Sequence, residues 1–251
     1  MLNMNRLFQH EKSFVFDGKS SLDFFCIASQ GTIFPIAEKD FTTTSVAGRY
    51  GDLYTGNDRF NNRDIDLECF IAGDNFFRYY HDLMAWLMSR EGYKDLYFGA
   101  EPEYIRKAYF KGGTEPTVTK HGGSFTLTFS CDPRRFLSDS RGIERVNGSI
   151  FNHTLFDAKP ALYVATATKG QAIKINDSVI TFRENIKEGT DADTMLCIDS
   201  ETMSCTQGGI NKNTAVGFNE DAADVFPVLH PGKNEITTDL TVYIQKNLWT
   251  V

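Results

Sequence analysis

Residues 46–71 read VAGRYGDLYTGNDRFNNRDIDLECFI, and how this stretch is read decides how the amino-terminal half is built. Its first part is punctuated by Gly48, Gly51 and Gly56, which take backbone angles closed to other residues, and reads as a loop over Gly48–Asn62. From Asp64 the pattern alternates. Asp64, Asp66 and Glu68 fall on one side of an extended strand, and Ile65, Leu67, Cys69 and Ile71 on the other. Such a strand is half-buried: one face meets a core and the other meets water. Gly73 then breaks the pattern, and Asp74 is placed to cap a helix over about Asn75–Arg90. Phe76, Tyr80, Leu83 and Leu87 recur at three- and four-residue spacing, with Tyr79 and Trp86 widening the stripe, which reads as core. Gly92 stands where a helix commonly stops in a left-handed turn.

Upstream of this stretch, Ser13–Phe16 reads as a strand, Asp17-Gly18 as a tight turn, Leu22–Ile27 as a returning apolar segment and Phe41–Val46 as a strand feeding the loop. Downstream, Tyr104–Lys111, Thr117–Lys120 and Ser124–Cys131 are expected strands, the last ended by Asp132-Pro133. A polar, basic connector from Arg134 to Gly142 marks the expected boundary between residues 1–138 and 139–251. Beyond it helical periodicity disappears. Strands are expected at Ala161–Ala167, Ala172–Ile175, Val179–Phe182, Thr194–Ile198, near Thr202–Thr206, and at Val225–Leu229, Asn234–Thr238 and Leu240–Gln245. Asn176-Asp177-Ser178 makes a hairpin turn between two of them. The expected fold class is mainly β with one principal α-helix: an amino-terminal β-sandwich plus helix and hairpin, then a carboxyl-terminal jelly-roll sandwich.

Composition narrows the class. Hydrophobic residues make up 41% and charged ones 24%, which suits a folded globular chain rather than a disordered one. The net charge of −7 argues against a general attraction to nucleic acid phosphates. The amino terminus lacks the apolar core of a secretory signal, and no apolar run is long enough to cross a bilayer, so synthesis in a cytoplasm without membrane insertion is expected. Five scattered cysteines without a Cys-x-x-Cys pair argue against a disulfide framework; Cys69 and Cys131 sit on apolar strand faces like small hydrophobes.

Catalytic and cofactor chemistry finds no foothold. Gly51-x-x-x-x-Gly56 has the glycine spacing of a phosphate loop, but Asn57 and Asp58 follow where lysine and serine or threonine belong, and an acid there repels phosphate. On a straight strand Asp64, Asp66 and Glu68 spread over about 14 Å at roughly 3.4 Å per residue, too far for one metal ion. The five histidines are isolated, and the chain has no Gly-x-Ser-x-Gly elbow. No catalytic residue, cofactor or metal is expected.

Several motifs resemble the distal tail (Dit) proteins of long-tailed bacteriophages. They are GRYGDL followed by NNRDIDLECFI, Phe16 to Phe24 upstream, Trp86-Leu87 before Gly92-Tyr93, and Phe226 to Asn234 near the carboxyl end. The resemblance implies a structural hub at the tail tip of a virion. Its amino-terminal domain would close into a homohexameric ring around a channel that DNA traverses, and its second half would be a galectin-like sandwich. The implied partners are the tail-tube protein, a tail-tip hub or tail-associated lysin, and receptor-binding or baseplate proteins. Residues expected to reach a neighbouring copy are Gly48, Arg49, Gly51, Asp52, Arg59, Asn62, Arg63, Gly112 and Gly113, within the loop Gly48–Asn62 and the segment Tyr104–Phe125. A mildly acidic channel is expected, because basic contacts would hold passing phosphates. The alternative is a module that binds host cell-wall sugar through the carboxyl-terminal sandwich. Its aromatic residues Tyr163, Phe182, Phe218 and Tyr243 read as core, and Trp249 as core or edge packing. A tail-associated hydrolase is a third class, without a motif to support it.

Overall fold

The computed structural model describes residues 11–29, 36–219 and 221–251, which leaves His10 and the residues before it outside the description. The chain divides into two compact units, residues 1–135 with Val251 and residues 136–250. In the first, the strands are β1 (Phe14–Phe16), β2 (Lys19–Ser20), β3 (Cys26–Ser29), β4 (Lys39–Thr44), β5 (Leu53–Phe60) and β6 (Arg63–Ala72). Helix α1 (Phe76–Met88) follows, then β7 (Lys94–Phe98), β8 (Tyr104–Gly113), β9 (Thr117–Thr119) and β10 (Gly122–Leu137).

The alternating stretch behaves as its pattern requires. Along β6, Ile65, Leu67, Cys69 and Ile71 are buried while Asp64, Asp66 and Glu68 are exposed. Strand β10 pairs with it antiparallel from Gly122 opposite Ala72 to Cys131 opposite Arg63, so Phe125, Leu127 and Phe129 join the same inner face. The antiparallel order is β2-β1-β7-β8-β10-β6-β3, and the sheet curls until its ends meet: the Ala28 amide donates to the Lys12 carbonyl at 2.9 Å. Helix α1 lies on the inner face. Trp86 stacks on Phe24 at 5.0 Å and meets Phe16 edge-on at 6.2 Å, with Leu83 and Leu87 fully buried below. Gly123 lets the helix approach, since a Cβ there would stand 2.5 Å from the Phe76 ring.

Around the helix and the curled sheet, three details differ from the sequence reading. The helix begins after Asn75, whose side chain makes no capping bond, so Asp74 is not the cap. Strand β7 went unanticipated, because Lys94-Asp95-Leu96-Tyr97-Phe98 is too short for its alternation to stand out. Strand β10 does not stop at Asp132-Pro133 but continues to Leu137. The ladder with β6 ends at Cys131, so the amide hydrogen that Pro133 lacks is not needed on that side. Asp132 instead accepts bonds from the Arg134 amide and guanidinium, both at 2.9 Å. One buried ionic cluster belongs to this unit. Glu101 pairs with Arg106, and both are almost wholly buried. Arg135 joins Glu101 at 3.0 Å, while the Arg106 and Arg135 guanidinium groups lie over Phe98 and Tyr104.

The second unit is a two-sheet sandwich. Its strands are β11 (Glu144–Arg145), β12 (Ser149–Asn152), β13 (Ala161–Val164), β14 (Ala172–Ile175), β15 (Ser178–Phe182), β16 (Leu196–Asp199), β17 (Ser204–Gln207), β18 (Ile210–Asn211), β19 (Val216–Phe218), β20 (Gly232–Thr238) and β21 (Val242–Gln245), followed by a last short strand, β22 (Trp249–Thr250). One sheet runs β11-β21-β13-β16-β17-β18 and the other β12-β20-β14-β15-β19. Leu162, Val164, Ile173, Ile180, Leu196, Ile198, Ile236 and Ile244 fill the space between them. The hairpin expected at Asn176-Asp177 is present, with Asn176 at φ 51°. Val225–Leu229 is not a strand: only Leu229 bridges, to Ala158, and Ser178 and Asn176 hold the Val225 and Val228 carbonyls from the side. All five cysteines are reduced, and burial pushes the Cys131 thiol up to about 12.

Candidate functional site

The stretch expected as a loop is a projecting β-hairpin. β4 and β5 pair only with each other, from Thr44 opposite Leu53 through Thr43–Tyr54 and Thr42–Thr55 to Phe41 opposite Gly56. The register then slips, because three residues on β5 face one on β4 before Lys39 meets Phe60. Asn57 fills this bulge, donating to Asp40 at 3.1 Å and accepting from the Arg59 amide at 3.2 Å. At the tip Ser45 donates to Asp52 at 2.6 Å and the Arg49 amide closes onto the Val46 carbonyl. Gly48 and Gly51 both hold positive φ there, 81° and 76°, which is what their identity as glycine provides.

What the hairpin displays is apolar. Phe41, Val46, Tyr50, Leu53 and Tyr54 are all exposed, Tyr50 completely and Tyr54 by 59%. Phe41 and Tyr54 pair across the strands with centroids 5.2 Å apart. Tyr54 lies over Gly56, where a Cβ would come within 2.8 Å of its hydroxyl. At the base Arg63 pairs with Glu38 at 3.0 Å, the Asn61 amide donates to the Glu38 carbonyl, and Asn62 donates to the Tyr93 hydroxyl. The hairpin is thus anchored at its root and free of ladder partners along its length.

The residues expected at an interface divide accordingly. Gly48, Arg49, Gly51 and Asp52 lie at the tip, Arg59 in the bulged strand, and Asn62 and Arg63 at the root. Gly112 and Gly113 are elsewhere. Gly113 sits against Thr126 and Met84, where a Cβ would come within 3.0 Å of a carbonyl, and Thr126 faces Glu68, five residues along β6 from Arg63. Gly113 is thus closely packed, whereas Gly112 faces open space at a positive φ of 150°. Sequence reasoning missed Phe41, Val46, Tyr50, Leu53 and Tyr54; the available signal was five large apolar side chains in a segment without core periodicity.

The acidic row on β6 is occupied within the chain. Lys111 donates to Asp64 at 2.6 Å, which holds the Asp64 carboxyl below the usual carboxylate range, and Thr128 donates to Asp66 at 2.6 Å. Among the described residues no cluster of histidine, cysteine, aspartate or glutamate is arranged to hold a metal ion. No helix among them is long and apolar enough to cross a membrane. In the sandwich Phe182 is core as expected. Tyr163 and Tyr243 are corrections: they face each other on the outer surface of the six-stranded sheet, half-buried, because β13 and β21 turn their alternate residues outward. Trp249 stacks on Phe156 at 4.3 Å and donates to the Asp157 carbonyl at 2.8 Å, the edge packing expected of it.

Comparison with known proteins agrees with this architecture. Residues 21–131, from the turn before β3 to the end of the β6–β10 ladder, match the family model described as the phage tail protein RIFT-related domain. No curated protein matches the chain. Among solved structures it is similar to the Dit (gp 19.1) protein of phage SPP1, described as a paradigm of the hub adsorption apparatus in phages infecting Gram-positive bacteria. That match has 14% identity and a TM-score of 0.65, and covers 92% of this chain and 96% of that one. It is also similar to a chain of the phage P2 baseplate in its activated conformation with Ca (9% identity, TM-score 0.51, 88% and 89% covered) and to one determined with Sr (9%, 0.53, 92% and 96%). Residues 21–131 thus resemble the phage tail protein RIFT-related domain, and the chain as a whole has the fold of the SPP1 Dit protein.

Proposed function

We propose that this protein is a structural hub of a phage tail tip, in which copies join through the first unit into a hexameric ring that receives the tail tube on one side and tail-tip hub and receptor-binding proteins on the other. The observation that supports self-assembly is the β4–β5 hairpin. A two-stranded ribbon is marginal in water by itself, and this one exposes aromatic and aliphatic side chains at its tip and along its strands. A neighbouring copy would cover those side chains, and a contact between two different patches is what a closed ring requires. The function is carried by surface shape, with no bond made or broken. If DNA passes through the ring, the channel is lined by acids of the kind exposed on β6, and a lumen dominated by lysine and arginine would contradict this.

Mass measurement in solution and electron microscopy of the isolated protein provide the test. A ring of six copies is expected. A species that stays monomeric at high concentration, and also with the tail-tube and hub proteins added, overturns the proposal.

A further inference from the structure

The crossing between the two sheets of the second unit has the makings of a modification site. Among the described residues β11 pairs only with β21 and β12 only with β20, so both are edge strands, and residues 146–148 join one sheet's edge to the other's. The crossing is pinned at both ends. The Val146 amide donates to the Val242 carbonyl at 2.9 Å, and the Ile236 amide to the Gly148 carbonyl at 2.7 Å. Between these pins the backbone folds into a γ-turn: the Ser149 amide donates to the Asn147 carbonyl at 2.8 Å, with Gly148 at the centre at φ 73°. Asn147 and Gly148 are both exposed, and a Cβ at position 148 would meet nothing within 4 Å. Among the described residues neither the Gly148 amide hydrogen nor the Asn147 side chain has a hydrogen-bond partner.

We infer that Asn147 converts spontaneously to aspartate and isoaspartate, and that the conversion unfastens this edge of the sandwich. The Gly148 nitrogen attacks the Asn147 side-chain carbonyl carbon and closes a five-membered imide. The side-chain carbon–nitrogen bond breaks, and the NH2 group leaves as ammonia with the proton that Gly148 gives up. Water then opens the imide. Cleavage beside the former side-chain carbonyl leaves ordinary aspartate; cleavage beside the main-chain carbonyl leaves isoaspartate, whose backbone runs through Cβ and is one carbon longer. Water is the sole co-reactant, and nothing is oxidised or reduced. Asn147 is the asparagine selected because it alone is followed by glycine, so no side chain shields the attacking nitrogen. Its side chain is also free to turn, whereas Asn152 donates to the Phe156 and Leu229 carbonyls, Asn176 to Asn234, and Asn234 to the His230 carbonyl. The added carbon falls between the pins at Val146 and Gly148, and a longer backbone cannot keep both at their present lengths. Edge strands have no second neighbour to retain them, so β11 and β12 open locally. The crossing is in a different unit from the hairpin, so the inference stands or falls separately from ring formation.

The test is to age the full chain in mildly alkaline buffer and follow amide loss at each asparagine by peptide mapping, with isoaspartate identified by fragmentation. Asn147 should convert at least about tenfold faster than any other asparagine, and within about tenfold of its own rate in the urea-unfolded chain. The converted chain carries an added negative charge and can be isolated by anion exchange. Its Val146 and Ile236 amides should exchange hydrogen at least about tenfold faster than the parent's, while the β13–β16 ladder keeps its protection. Asn147→Gln, which would have to close a larger ring, should keep the parent's exchange before and after ageing, and an unchanged circular dichroism spectrum verifies its fold. Conversion at Asn147 no faster than at the other asparagines, conversion confined to the unfolded chain, or unaltered exchange in the converted form overturns the inference. So does faster exchange in the aged Asn147→Gln chain.

Discussion

Strands β5 and β6 are separated by two residues, yet they are held in place by opposite means. β6 has Ile65, Leu67, Cys69 and Ile71 against the core, and its ladder with β10 runs ten residue pairs without a slip. β5 has Leu53 and Tyr54 in the open, and its ladder with β4 slips between Phe41 and Lys39. Where one face is buried, a shift by one residue would turn every apolar side chain outward, so the register is fixed by the chain's own core. Where both faces are wet, little within the chain fixes it. The first kind of strand supports a fold, and the second is suited to completion by another molecule.

This contrast can be broken most forcefully in the ladder. Leu127→Ala removes a fully buried side chain opposite Leu67 and should cost about 2–5 kcal/mol in urea unfolding. Glu101→Ala, which removes the carboxylate paired with the buried Arg106 and with Arg135, should cost a comparable amount, about 3–5 kcal/mol, in the same measurement. The hairpin should respond the other way. Tyr50→Ala with Leu53→Ala should leave monomer stability within about 0.5 kcal/mol per site, as for exposed positions generally. The same double variant should reduce the ringed fraction at least tenfold by analytical ultracentrifugation, and an unaltered ring population would sink the assignment of the hairpin to assembly.

The smallest effect sharpens the outer face of β6. The Lys111 ammonium depresses the Asp64 carboxyl, so their contact contributes stability that is present above the ordinary aspartate range and is lost as pH falls through the lower folded value. Asp64→Asn should lower thermal stability slightly at neutral pH, as an exposed pair allows, and converge on the parent below about pH 4, which flattens the acid limb of the profile. An acid limb identical to the parent's would show that the contact is not maintained in solution.

What the sequence revealed follows the same division. Ile65 to Ile71 and the Phe76–Leu87 stripe were legible because burial imposes a period on them. Leu53 to Phe60 was taken for a loop because no face of it is buried, and Gly56 was read as loop punctuation although it pairs with Phe41 in the ladder. Asp74 was expected to cap the helix, since a side chain's capacity to cap shows in sequence but its rotamer does not. Tyr163 and Tyr243 were read as core because they fall in expected strands, whereas their place in the pleat turns them outward.

The seating of Tyr54 over Gly56 has a consequence for how the hairpin could diversify. The Tyr54 ring rests where any larger residue would put its first carbon, and adding one methyl group would tip that ring away from its present seat while leaving the curled sheet and its helix undisturbed. If the hairpin holds a neighbouring copy as proposed, a single codon at position 56 would retune that grip independently of the scaffold that carries it.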